Sequence, residues 1–102
     1  MKTIRPYKRT DRVANEIKGI LGNIHTHQVD LSNLGFITFS KVTVSPDLKN
    51  AKVFFTVLNE KQPLNIIEIE LNRKSKIFRK HLAEFLDIKY IPKLKFFYDD
   101  TL

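Results

Sequence analysis

The chain has no cysteine and no tryptophan, one methionine and three glycines in 102 residues. Without cysteine there is no disulfide framework, thiolate nucleophile, zinc finger or iron–sulfur site. Acidic residues are also scarce: 11 Asp and Glu stand against 18 Lys and Arg, a net charge of +7. No apolar run approaches the ~20 residues of a membrane-spanning helix. The basic opening, Met1 to Arg9, has no apolar stretch behind it and is not a signal peptide. The nucleophile elbow G-x-S-x-G, the phosphate-binding loop and the glycine-rich dinucleotide fingerprint are all missing. These absences predict a soluble cytoplasmic protein that is not an enzyme and needs no cofactor.

What is present describes one folded domain. An apolar fraction of 42%, with eight Phe, is ample for a single core in a chain of this length. The positive surplus favours a polyanionic partner.

Residues 1–9 read as a basic arm, 10–98 as the domain and 99–102 as a short tail. Thr10 is placed as an N-cap, with Asp11 in the first turn. Val13, Ile17, Ile20, Leu21 and Ile24 recur at helical spacing, so 10–25 reads as an amphipathic helix. Gly19 and Gly22 weaken that helix, and are expected on its core face where they let a sheet approach. Thr26 to Gly35 reads as a loop.

Ile37 and Phe39 share one strand parity, Val42 and Val44 the other, which predicts a bulge at Ser40-Lys41. Ser45 to Lys49 supplies turn residues, and Ala51, Val53, Phe55 and Val57 form one face of an antiparallel partner strand. Leu64, Ile67, Leu71, Ser75, Phe78, Leu82 and Phe85 then mark a helical stripe over 64–86, long or broken, with Ser75 its polar member. Ile88 to Tyr98 reads as a last strand, with Pro92 at an edge position or a bulge. Helix, strand, strand, helix, strand, with helices on one face, is a two-layer α+β sandwich with a three-stranded sheet.

Two groupings bear on function. Arg73, Lys74, Lys76, Arg79 and Lys80 fall within eight residues that hold no acid. Helical geometry sets Arg73, Lys76 and Lys80 opposite the apolar stripe, with Lys74 and Arg79 at its edges. Such a face displaces counterions from a phosphate backbone, and a solvated helix face is the plain alternative. Lys2, Arg5, Lys8, Arg9 and Arg12 form a second basic group near the N-terminus. Most of the phenylalanines read as core; Phe54 and Phe97 fall on the sheet face away from the helices, and neither is assigned to base stacking. His25, His27 and Asp30 lie close in sequence, but histidines two apart do not share a helix face, so a solvated loop is preferred to a metal site. Asp99-Asp100 reads as solubilising.

The residues resemble a known family, bacterial ribosome-binding factor A. The likeness is carried by Arg12-Val13-Ala14-x-Glu16-Ile17, and by Leu34-Gly35-Phe36-Ile37-Thr38 leading through Val42-x-Val44-Ser45-Pro46-Asp47-Leu48 to Ala51-Lys52-Val53. The closing Ile91-Pro92-x-Leu94-x-Phe96-x-Tyr98-Asp99-x-Thr101-Leu102 completes it. The resemblance implies a type II K-homology-like domain in the order helix–strand–strand–helix–kink–helix–strand. It also implies a non-enzymatic factor, associated with cold adaptation, that binds the free small (30S) ribosomal subunit and assists late maturation of 16S rRNA and its precursor. The chain is expected to act as a monomer, without membrane, metal or cofactor.

The family kinks its paired helices at an Ala-x-Gly, whereas the aligned triplet here is Lys74-Ser75-Lys76. Recognition is therefore expected to lean more on charge and less on close backbone approach. Arg5, Lys8, Arg9, Arg12, Arg73, Lys74, Ser75, Lys76, Arg79 and Lys80 are the candidate RNA-binding residues. The competing readings are an RNA chaperone without subunit preference, a protein-interaction module built on Ile66, Ile69 and Ile77, and, most distantly, a metal hydrolase.

Overall fold

The structure is a computed structural model that describes residues 8–24 and 29–101. Its first element, α1 (Arg9–Gly22), buries Val13, Ala14, Ile17 and Leu21. It starts one residue before Thr10, with Lys8 extended at the N-cap position and no side-chain cap. The Lys8 carbonyl accepts the Arg12 N–H at 3.0 Å, so burial of Val13 and Ala14, not a cap, sets the start. The helix stops at Gly22, short of residue 25, once its buried stripe is complete. Gly19 and Gly22 are not on the core face. Both are exposed, with no heavy atom within 4 Å of where a Cβ would stand.

β1 (Phe36–Val44) and β2 (Asn50–Leu58) form an antiparallel hairpin. The register passes from Phe39↔Phe55 to Lys41↔Phe54, so Ser40 is the bulged residue that the parity change predicted. The turn between the strands is fixed by Asp47, whose carboxylate accepts the Ser45 hydroxyl at 2.6 Å and the Lys49 N–H at 3.0 Å. These bonds hold Asp47 ionised below the usual carboxylate range, the Ser45 hydroxyl contributing most. Ahead of the hairpin, Gly35 has φ +126°, and a Cβ there would lie 2.9 Å from the Asn59 carbonyl oxygen. Only glycine fits that approach.

The long stripe is two helices, α2 (Leu64–Arg73) and α3 (Ser75–Phe85), separated by Lys74. β3 (Lys93–Tyr98) then runs parallel to β2, giving the sheet order β1-β2-β3. The strand is shorter than 88–98. Pro92 lies just ahead of it, at neither an edge position within it nor a bulge, and the ladder opens with the Lys93 N–H on the Lys49 carbonyl at 2.9 Å.

Ala51, Val53, Phe55, Leu94 and Phe96 face the helices and are buried with Ile67, Leu71, Phe78 and Leu82. At the centre Phe78 packs on Phe96 at 5.0 Å between ring centroids, and Phe39 meets both at 5.9 and 5.8 Å. Among the described residues the helices lie on one face, so the expected α+β order and layering hold. No helix among the described residues is long and apolar enough to cross a membrane.

Candidate nucleic-acid interface

The break between α2 and α3 needs neither glycine nor proline. Lys74 adopts φ −92°, ψ 7°, between the helical and extended regions. Its N–H is shared between the Glu70 and Leu71 carbonyls at 3.2 and 3.1 Å, while its own carbonyl receives the Phe78 N–H at 3.1 Å. One residue therefore ends α2 and starts α3. The reason for a change of direction lies in the packing: α2 is tied to the edge of β3, whereas α3 also packs against α1. Ser75 opens α3, half-buried, and its hydroxyl makes no hydrogen bond among the described residues. The kink therefore does not come from serine back-bonding.

The five cations around the break have different surroundings. Lys76 and Lys80, one turn apart on α3, are exposed and in no ion pair among the described residues. Lys74 is half-buried and near the 29–32 segment. There the Ser32 N–H and hydroxyl hold the Asp30 carboxylate below its usual range, and the Lys74 ammonium adds to the lowering. Arg73 pairs with Glu70 at 3.0 Å, an acid just outside the acid-free window. With the Arg73 side chain 71% exposed, that pair is a weak tether. Arg79 is half-buried, and its guanidinium donates to the Ile91 and Pro92 carbonyls at 2.9 and 3.0 Å. It clamps the chain entering β3 as well as adding charge.

The other basic group is elsewhere. Lys8, Arg9 and Arg12 are exposed at the start of α1. Arg9 and Arg12 line a groove with Glu16, Phe85 and Asp87, at the C-terminal end of α3. The ten-residue rise of α3, about 15 Å, separates them from the Lys74 break. The candidate residues thus form two clusters. Arg5, His25 and His27 lie outside the described residues, among which no group of three or more His, Cys, Asp or Glu could hold a metal. Ile66, Ile69 and Ile77 are exposed as expected, but on opposite sides of the break.

Side chains that sequence reasoning passed over shape this region. Asn72 on α2 donates to the Phe96 carbonyl at 3.0 Å and accepts the Phe96 N–H at 2.8 Å, and Glu68 accepts the Tyr98 N–H at 2.9 Å. Together they satisfy the outer edge of β3 and fix α2 against it. On the far side, the bulged Ser40 donates to Asp99 at 2.6 Å. That bond, with further bonds from Thr101, brings the Asp99 carboxyl down to about 2. Asp99 is therefore a structural tie across β2. No single-residue pattern marks Asn72 or Glu68; the bulge signal marked the place of Ser40 but not its partner.

The whole arrangement has counterparts. A family model described as ribosome-binding factor A matches residues 9–102. Ribosome-binding factor A of Legionella pneumophila is 37% identical over 97 residues, covering 94% of this chain and 77% of that protein. That of Coxiella burnetii is also 37% identical, over 95 residues, covering 93% and 79%. Among solved structures, the crystal structure of ribosome-binding factor A from Thermus thermophilus superposes with a TM-score of 0.74 at 18% identity, over 89% of this chain and 97% of that one. A Thermus thermophilus ribosome-binding factor A model fitted into a cryo-EM map of its 30S complex gives 0.68 at 18% identity, covering 82% and 88%. The structural likenesses speak for the fold, and the sequence matches, running from α1 through β3, decide the lineage: the chain belongs to the ribosome-binding factor A family.

Proposed function

We propose that this protein binds the RNA of the small ribosomal subunit in the cytoplasm and assists a late step of 16S rRNA maturation, acting by binding alone and as a monomer. The observation that carries the reading is the α2–α3 junction in a member of this family, where Lys74, Lys76 and Lys80 gather without an ion-pair partner among the described residues. The Thermus relative fitted to a 30S complex supports the choice of subunit. Binding favours one subunit conformation only through a difference in affinity for the two, so the junction must meet RNA that moves during maturation. Where relatives place Ala-x-Gly, Lys74 and Lys76 offer ammonium groups, and the contact is made to phosphates.

Sedimentation with purified small subunits, large subunits and whole ribosomes across a salt series tests this. Co-migration with small subunits alone at moderate salt is expected, and Lys74→Glu with Lys76→Glu should weaken it more than tenfold. Equal binding to all particles, vanishing steeply with salt, would reduce the protein to an RNA-binding module without subunit preference. Arg79→Glu is a poor probe, because it would also release the Ile91 and Pro92 carbonyls.

A further inference from the structure

The sheet has a second face, turned away from α1, α2 and α3. Strand alternation sends the side chains that flank the buried Ala51, Val53, Phe55, Leu94 and Phe96 to that face. The register brings six of them together. Lys41 on β1 opposes Phe54 on β2, Phe54 opposes Phe97 on β3, and Lys52 opposes Lys95, with Lys93 one step beyond. The Phe54 and Phe97 rings lie side by side, centroids 5.7 Å apart and tilted by 31°. Neither is in the core; both are half-buried on an open surface. Lys41 Nζ stands 5.9 Å from the Phe54 centroid and Lys95 Nζ 5.7 Å from that of Phe97, and all four lysines are exposed. The nearby Asp99 carboxylate accepts the Ser40 hydroxyl and stays charged, with Lys41 adding to the lowering of its pKa; the other three lysines are in no ion pair among the described residues.

We propose that this face is a second RNA-binding surface, which stacks an unpaired base on the Phe54–Phe97 pair and holds the flanking phosphates with Lys41, Lys52, Lys93 and Lys95. Charge complementarity selects the partner: four ammonium groups around an aromatic pair suit a polyanion with accessible ring faces. That polyanion is single-stranded RNA, because bases inside a duplex are already stacked and only splayed bases reach an aromatic platform. Lys41 and Lys95 hold their ammonium groups near the rings in the free protein. Being long and exposed, they can swing from ring to phosphate as a base arrives. The inference shares with the proposed function only the premise that the partner is RNA. It concerns the opposite layer of the molecule from the α2–α3 junction.

The test uses the full chain with a labelled adenosine octamer and an RNA duplex carrying as many phosphates. Phe54→Leu with Phe97→Leu keeps apolar bulk but removes the stacking faces. It is expected to weaken octamer binding about tenfold and leave duplex binding unchanged. Lys52→Glu with Lys95→Glu, at exposed positions that leave the core intact, should weaken the octamer at least as much, and serves if the leucine variant does not fold. On saturation with octamer the Phe54 and Phe97 ring protons should move upfield, and should still do so in Lys74→Glu with Lys76→Glu. Unchanged octamer affinity in the sheet variants, or ring signals that stay in place at saturation, would overturn the inference. Either of those results, with small-subunit co-migration of the unaltered chain intact, would leave the proposed function standing alone. Ring shifts without small-subunit binding would leave the sheet surface standing alone.

Discussion

Asn72 answers a question every edge strand raises, where its outward N–H and C=O groups go. Its carboxamide supplies both partners for Phe96 and also donates to the Glu68 carbonyl at 2.9 Å, so one side chain couples α2 to β3. Replacing it with alanine strands both Phe96 groups at a half-buried edge. Removing such a partner costs about 1–3 kcal/mol, so Asn72→Ala should destabilise the domain by about 2 kcal/mol. Urea denaturation would show a lower midpoint with an unchanged slope. Asn72→Asp provides the sharper comparison. A carboxylate still accepts the Phe96 N–H but faces the Phe96 and Glu68 carbonyls with no proton to donate. It should be at least as harmful as alanine at neutral pH, and recover in part when acid protonates it. Nothing in the sequence distinguishes Asn72 from any solvated polar residue on a helix, because its role depends on a strand 24 residues away. Gly35 was legible only as part of a family pattern; its close approach to Asn59 is a tertiary fact.

At the scale of the element, what could be read in the sequence was whatever one segment dictates alone. The stripe through Val13, Ile17 and Leu21 gives α1, and the parity change between Phe39 and Val42 locates the Ser40 bulge. Two features depend on neighbours and cannot be read from one segment alone. The break at Lys74 follows from α2 and α3 having different partners, a conflict that a continuous stripe cannot reveal. The exposure of Gly19 depends on which side of α1 the sheet takes, and the sheet takes the other one. An exposed glycine within a helix costs about 1 kcal/mol relative to alanine. Gly19→Ala should therefore stabilise the domain by about 1 kcal/mol, raising its melting temperature by roughly 4–8 °C. A glycine needed for close packing would give the opposite sign, so a single thermal melt decides between the two placements.

For the whole molecule, the surplus of seven positive charges in the sequence does not gather on a single surface of the described residues. Lys74 and Lys76 belong to the helical layer, Lys52 and Lys95 to the open face of the sheet. With a layer of core between them, the two surfaces can hold separate RNA segments, and their contributions should be independent. Each phosphate neutralised contributes about 0.7–0.9 to the magnitude of the slope of log K against log salt. Alanine at Lys74 and Lys76 should thus lower that slope for small-subunit binding by about 1.4–1.8, and alanine at Lys52 and Lys95 by a similar amount. Residues more than ~7–10 Å apart with no shared partner add to within about 0.5 kcal/mol, so the fourfold variant should show the sum of both losses. A loss well short of the sum would mean that the surfaces take turns on one RNA segment. A sheet pair that leaves the slope unchanged would mean that on the assembled subunit only the helical layer touches phosphate.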